Sequence, residues 1–197
     1  QPLEDLVEGV EMDIHSRRYE TFNELYEYCL RVASSVGLVC IEIFGYSDRR
    51  AQDYAINLGV ALQLTNIIRD LPTDLEAGRL YLPLEDLRRF GCSPDVIRQG
   101  MSTPVHELIR FECQRARKFY REATHLIPPA DKMNLVAAEI MRAIYFEILK
   151  RIERRGYDVF SEVVRVPRPR RAMIAAIVWS QAILCSLHRS MTVRRGA

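Results

Sequence analysis

A chain of 197 residues, 48% hydrophobic and 27% charged, is long enough to bury a sizeable core and too apolar to stay disordered. Its net charge of +2 gives no global pull toward nucleic acid or membrane, so no nucleic-acid partner is expected and any anion must be held by a local cluster. The five cysteines, an odd number with no CxxC pair, argue against a disulfide framework or a zinc site and fit a reducing, cytoplasmic compartment.

The sequence opens at Gln1 in charged, helical-looking sequence with no signal peptide, which points to a start lying further upstream. Phe22, Leu25, Cys29, Val32, Val36 and Val39 recur at helical spacing and predict the first long helix. A second runs over residues 48–71, with Asp48 as its cap and Ile56, Val60, Leu64 and Ile67 on its apolar face. Turns are expected at residues 78–83 and 91–94, with Ser93 capping ahead of Pro94. A third helix covers residues 103–126 and stops at Pro128 and Pro129, and a fourth covers 131–155 and ends at Gly156. Residues 165–171 form a basic, proline-containing linker to a last helix around Trp179. With no alternating strand pattern and no internal repeat, the fold class is all-α.

The most informative stretch is the end of the second helix. Asn66, Asp70 and Asp74 stand four apart, with Gln63 three before the first. On a continuous helix they share one face, each about 6 Å further along the axis. Carboxylates so spaced can hold Mg²⁺ by one oxygen each while phosphate and water supply the other ligands. Pro72 ends or kinks the helix nearby, gathering Asp70, Asp74 and Glu76 at a negative helix terminus that a cation would relieve, Arg69 and Arg79 doing part of that work. The same spacing also describes a solvated acidic turn with Asn66 as a buried polar residue.

These residues resemble a motif of the squalene/phytoene synthase family. Asn66, Arg69, Asp70 and Asp74 are followed at the family's distance by Gly78, Arg79, Tyr81 and Pro83. Upstream, Met12, Asp13, Arg18, Tyr19, Phe22, Glu24, Leu25, Tyr28, Cys29, Val32, Ala33, Val36 and Gly37 follow its pattern in order; downstream, Met141, Tyr145, Ile148 and Leu149 do so. The resemblance covers Glu11 to about Arg171 and is nearest to the bacterial presqualene diphosphate synthases of hopanoid biosynthesis. It implies an isoprenoid-synthase bundle around a central apolar cavity, with residues 1–171 as the C-terminal part of the catalytic domain and 172–197 as an apolar helix and basic tail. It further implies Asp70 and Asp74 as ligands of Mg²⁺, with Mn²⁺ an alternative. Gln63 and Asn66 become their neighbours at the diphosphate, Arg69 and Arg79 cationic supports, and Tyr28 and Tyr145 hydroxyls near the reacting ends. Val32, Ala33, Val36, Gly37 and Leu62 would line the prenyl tunnel.

Two positions depart from the family: Thr73, after Pro72, stands where an acid is usual, and Leu30 where a second tyrosine is frequent. The family's first Asp-rich motif has no counterpart here, so the N-terminal helices are expected upstream and the 197 residues alone are expected to be inactive and marginally stable. The implied reaction joins two farnesyl diphosphates head to head, giving presqualene diphosphate and releasing diphosphate. Phytoene, squalene or dehydrosqualene synthesis, or a non-catalytic helical assembly protein of the same fold, are the alternatives. No Gly-rich dinucleotide fingerprint marks an NADPH site.

Several features carry two readings from sequence. Val32, Ala33, Val36 and Gly37 suit a tight helix crossing as well as a tunnel wall, and Tyr28 and Tyr145 suit packing as well as cation stabilisation, while Phe146 reads as packing. His15, His106, His125 and His188 are dispersed without metal spacing and read as surface or capping residues. Residues 172–187 are apolar but fall short of the roughly 20 needed to span a bilayer. With Arg168, Arg170 and Arg171 beside them, they form either a peripheral contact with the inner membrane or a plain packing helix.

Overall fold

The computed structural model describes residues 2–14 and 18–195, with only the backbone described for residue 14 and residues 187–195. All regular structure among the described residues is helical: α1 (Pro2–Ile14), α2 (Phe22–Cys29), a π-helical turn (Leu30–Ser34), α3 (Ser35–Phe44), α4 (Arg50–Arg69), α5 (Leu71–Glu76), α6 (Leu84–Arg89), α7 (Pro94–Arg98), α8 (Thr103–Leu126), α9 (Val136–Arg154) and α10 (Arg168–Arg195).

The bundle is organised around α4. Residues from Ala51 to Ile68 are buried on nearly every side of it, the pattern of a helix surrounded by others rather than one floating on a surface. It packs most extensively on α8, whose Val105, Leu108, Ile109, Cys113, Ala116, Tyr120 and Ala123 form one buried stripe. The Thr65 hydroxyl bonds the Tyr120 hydroxyl at 2.9 Å across this contact, so the buried polar atoms are satisfied. On its other flanks α4 meets the π turn, α3 and α9.

The first predicted helix is thus interrupted. The Ser35 N–H reaches back five residues to the Leu30 carbonyl, inserting one extra residue in the turn. The Ser34 hydroxyl is spent on the Ile56 carbonyl of α4 (2.9 Å), and that of Ser35 donates to the Arg31 carbonyl. Gly59 makes the close approach of α4 possible, because a Cβ there would stand 2.6 Å from Ser34 Cα and 2.7 Å from its nitrogen.

The fourth predicted helix begins at Val136 rather than at residue 131. Asp131 instead lies buried in the preceding turn. Its carboxylate accepts from Ser47 N (2.9 Å), Ser47 Oγ (2.7 Å) and Asp48 N (3.1 Å), tying the start of α4 to the start of α9. Ser93 caps α7 as expected, accepting from Val96 N at 3.2 Å. His106 is half-buried beside Glu107 and Tyr157 and His125 is exposed, while His15 and the side chain of His188 lie outside the described residues.

Candidate active site

α4 is polar at its C-terminal end and apolar along the rest of the face it shares with α3. Ala33, Val36, Gly37, Cys40, Ile41 and Phe44 from the π turn and α3 face Ala55, Leu58, Gly59 and Leu62 of α4 and Ala137, Ala138 and Met141 of α9. Together they line an apolar groove of about 210 Å³. At its far end Tyr54 is buried and donates to Glu139 at 2.9 Å, itself held by Arg142 at 2.7 Å. Val32, a predicted lining residue, is not part of this wall. The extra residue of the π turn carries it round toward α1, where a Cβ on Gly9 would meet Val32 Cγ1 at 2.6 Å.

Beyond Leu62 the same helix turns polar. Gln63 and Asn66 are half-buried, and the Asn66 Oδ1 is a buried acceptor without a hydrogen-bond partner. α4 ends at Arg69, so Asn66, Asp70 and Asp74 do not ride one continuous helix; Asp70 is the hinge and Pro72 opens α5 in its first turn. The Asp74 N–H still bonds the Asp70 carbonyl at 2.9 Å, which keeps the helical stagger between the two acids.

Both acids are paired. Asp70 accepts two hydrogen bonds from Arg69, through Nε at 2.8 Å and through Nη2. Asp74 accepts from Arg79 at 3.1 Å. Burial, opposed by Arg79 and reinforced by the neighbouring charges of Asp70 and Asp13, leaves the Asp74 carboxyl above its ordinary range. Arg69 is raised chiefly by its bond to Asp70, with the Tyr145 hydroxyl contributing, so Tyr145 belongs to this end of the groove. Glu76 stays exposed on α5.

Tyr28 brings in residues that sequence spacing did not assign. Its hydroxyl and that of Tyr81 both donate to one oxygen of Asp13, at 2.8 and 2.9 Å. Tyr28 also stacks on Tyr81 with ring centroids 5.4 Å apart, and Tyr19 lies 5.4 Å from Tyr28. Burial and the Asp13 carboxylate push the Tyr81 phenol up to about 12, and that of Tyr28 higher still, so both carry their protons near neutrality. Asp13 and Tyr81 were visible only as members of an ordered pattern; 68 residues separate them, and no local spacing announces that they meet.

The profile of the squalene/phytoene synthase family matches residues 1–171. The chain belongs to that family. It is 36% identical to the 15-cis-phytoene synthase of Synechocystis over 195 residues, spanning 92% of this chain and 58% of that protein. It is 38% identical to the phytoene synthase of Arthrospira platensis, over 88% of this chain and 60% of that one. Among solved structures, a dehydrosqualene synthase in complex with ligand superposes with a TM-score of 0.76 at 30% identity, covering 91% of this chain and 64% of that one. The squalene synthase HpnC from Alicyclobacillus acidocaldarius gives 0.70 at 33%, covering 80% and 60%. The chain therefore spans less than two thirds of the length of these relatives, and the expected all-α synthase fold is the one observed.

The arrangement suits a family member's divalent ion on its own terms. Asn66 Oδ1 is an orphaned buried acceptor, and Asp74 sits among like charges that a cation would relieve. Among the described residues no three acids, histidines or cysteines converge into a ready-made metal cluster, so these residues supply a partial donor set. A second, polar concavity between α1 and α2 is lined by Glu8, Glu11, Glu24 and Glu27 as well as Arg18 and Arg31, a balance that does not favour a diphosphate.

Proposed function

We propose that this chain is part of a prenyl transferase that couples two farnesyl diphosphates head to head, forming presqualene diphosphate and releasing diphosphate. The observation that carries the reading is the juxtaposition of an apolar groove along α4 with an orphaned Asn66 acceptor and two carboxylates, Asp70 at the end of α4 and Asp74 on α5. Along the axis the groove residue Tyr54 and the acid Asp70 are about 24 Å apart, room for an extended lipid tail with its charged head at the polar end. Asn66, Asp70 and Asp74 would hold Mg²⁺, or Mn²⁺ in its place. When bound, such an ion neutralises developing charge on the leaving group, an effect worth several kcal/mol.

The chain's own residues do the rest. Arg69 and Arg79 exchange their carboxylate partners for diphosphate oxygens, and Gln63 adds an amide donor. Asp13 fixes the Tyr28 and Tyr81 phenols, whose aromatic faces would each stabilise a nearby cation by about 0.5–2 kcal/mol. Tyr145 stands beside Arg69. Ala33, Val36, Gly37 and Leu62 keep water from the tail and from the cation. The reading includes a cytoplasmic enzyme working beside the membrane that holds its lipid substrate, with residues 1–171 as catalytic domain and 172–197 as an appended helix and tail.

A second reading, phytoene synthesis from geranylgeranyl diphosphate, is favoured by the names of the curated relatives, whereas the names of the two solved structures favour the shorter substrate. The intact protein incubated with each diphosphate and Mg²⁺, with products identified by mass, decides between them. Presqualene diphosphate or squalene-type products support the first reading and phytoene the second. No coupled product from either would leave only a helical assembly protein.

A further inference from the structure

We propose that Tyr54 is the stop that sets tail length in the groove, admitting a chain of three isoprene units and turning away one of four. Like the coupling reaction proposed for this site, this takes the groove as the seat of one prenyl tail. Distance along α4 is the first support. Asn66, at the polar end, and Tyr54 stand twelve residues apart on one helix, about 18 Å along its axis. Four carbon–carbon bonds make up one isoprene unit and add about 5 Å in extended form. Three units therefore fill about 15 Å of that interval, and a fourth would drive the end of the tail into the Tyr54 ring. Along the rest of the α4 wall, Ala55, Leu58, Gly59 and Leu62 carry no polar side-chain atom and present no such obstacle.

The ring is held so that it cannot swing aside. Tyr54 is fully buried, in a wall it shares with Ile41, Phe44 and Ala138. Its hydroxyl donates to Glu139 Oε1 at 2.9 Å, and Arg142 grips both oxygens of that carboxylate, through Nε at 2.7 Å and Nη2 at 2.9 Å. Burial and the Glu139 charge keep the phenol protonated, so the donor persists near neutrality. Turning the ring away would break a buried bond to a charged acceptor. Past the ring, an apolar tail would meet the Glu139–Arg142 ion pair instead of carbon. The backbone at this end is fixed as well. Asp131 accepts from Ser47 N, Ser47 Oγ and Asp48 N, joining the turn ahead of α4 to the turn ahead of α9, so the helices cannot part to let a longer chain through.

Binding of unreactive substrate analogues to the intact protein tests the stop apart from the chemistry. Farnesyl and geranylgeranyl thiodiphosphates share one head group, so calorimetric titration of each in the presence of Mg²⁺ reads tail length alone. The parent protein should bind the farnesyl analogue at least about ten-fold more tightly. Tyr54→Leu should shrink that ratio about ten-fold or more, chiefly by tightening the geranylgeranyl analogue, a gain that general loosening of the fold would not produce. Tyr54→Phe keeps the ring and leaves Glu139 to Arg142, so the fold is retained, but the freed ring should shrink the ratio about three-fold. A parent that binds both analogues equally, or a ratio that neither variant moves, would overturn the assignment of Tyr54 while leaving the groove as the tail site. Should Tyr54→Leu not fold, an unmoved ratio in Tyr54→Phe is enough to overturn it. Binding of neither analogue by the parent would remove the groove itself from substrate binding, and the stop with it.

Discussion

Replacing Gly59 with alanine should loosen the crossing that sets the site. The new methyl would lie 2.6 Å from Ser34 Cα, 2.7 Å from its nitrogen and 2.8 Å from its hydroxyl, against backbone that cannot rotate away. Overpacking of this kind costs about 1–3 kcal/mol, and displacing the Ser34 hydroxyl from the Ile56 carbonyl adds about 1 kcal/mol. Alanine returns about 1 kcal/mol through its better helix propensity. The net is a loss of about 1–3 kcal/mol, or roughly 2–12 °C in melting temperature for a protein of this size. Urea and thermal unfolding of the intact protein measure it. Two companions sharpen the result. S34A should not rescue G59A, because the clash is with backbone atoms. G9A should cost less, since its closest contact is the Val32 side-chain tip, which can turn aside. A G59A protein as stable as its parent, or rescue by S34A, would refute the reasoning.

Asp131→Ala strands the Ser47 and Asp48 backbone N–H groups and should destabilise the intact protein by about 2–4 kcal/mol in urea unfolding. Glu112 is buried beside Arg115, which it shares with Asp86, and burial pushes its carboxyl from 4.5 up to about 8. Between those values the folded protein binds more protons than the unfolded chain, so this group's contribution to stability falls as pH rises through that window. Glu112→Gln should therefore lose less stability than the parent between pH 5 and pH 8.5, read as urea midpoints; parallel pH profiles would contradict the assignment. Asp70→Ala and Asp74→Ala should each lower product formation by the intact enzyme at saturating Mg²⁺ by at least about 100-fold, with the fold retained by circular dichroism.

What the sequence made legible depends on whether the physics was local. The limits of α8 were read to the residue because Pro104 opens it and Pro128 and Pro129 follow its end, and prolines act on their own neighbours. The α4 stripe was readable through Ile56, Val60, Leu64 and Ile67, although Ala51, Tyr54 and Gly59, equally buried, blur it because the helix is surrounded. Val32 lies off the groove wall for a definable reason. Its spacing to Val36 assumes 3.6 residues per turn, and the π insertion breaks that period. The adjacent Ser34 and Ser35, whose hydroxyls compete for backbone carbonyls, were the one local hint.

The acidic end divides along the same line. Asn66, Asp70 and Asp74 were found by spacing, but the orphaned state of the Asn66 acceptor is a property of its surroundings. So is the grouping of Asp13, Tyr28 and Tyr81, brought from three separate segments. A spacing motif therefore locates charge along a helix, whereas its chemistry depends on which distant groups leave that charge unsatisfied. If Asn66 Oδ1 is awaiting a donor or a cation, Asn66→Leu should stabilise the protein alone while weakening diphosphate binding. A neutral or destabilising effect on the protein alone would mean that the amide is already satisfied, and the strongest structural argument for an ion on this helix would be lost.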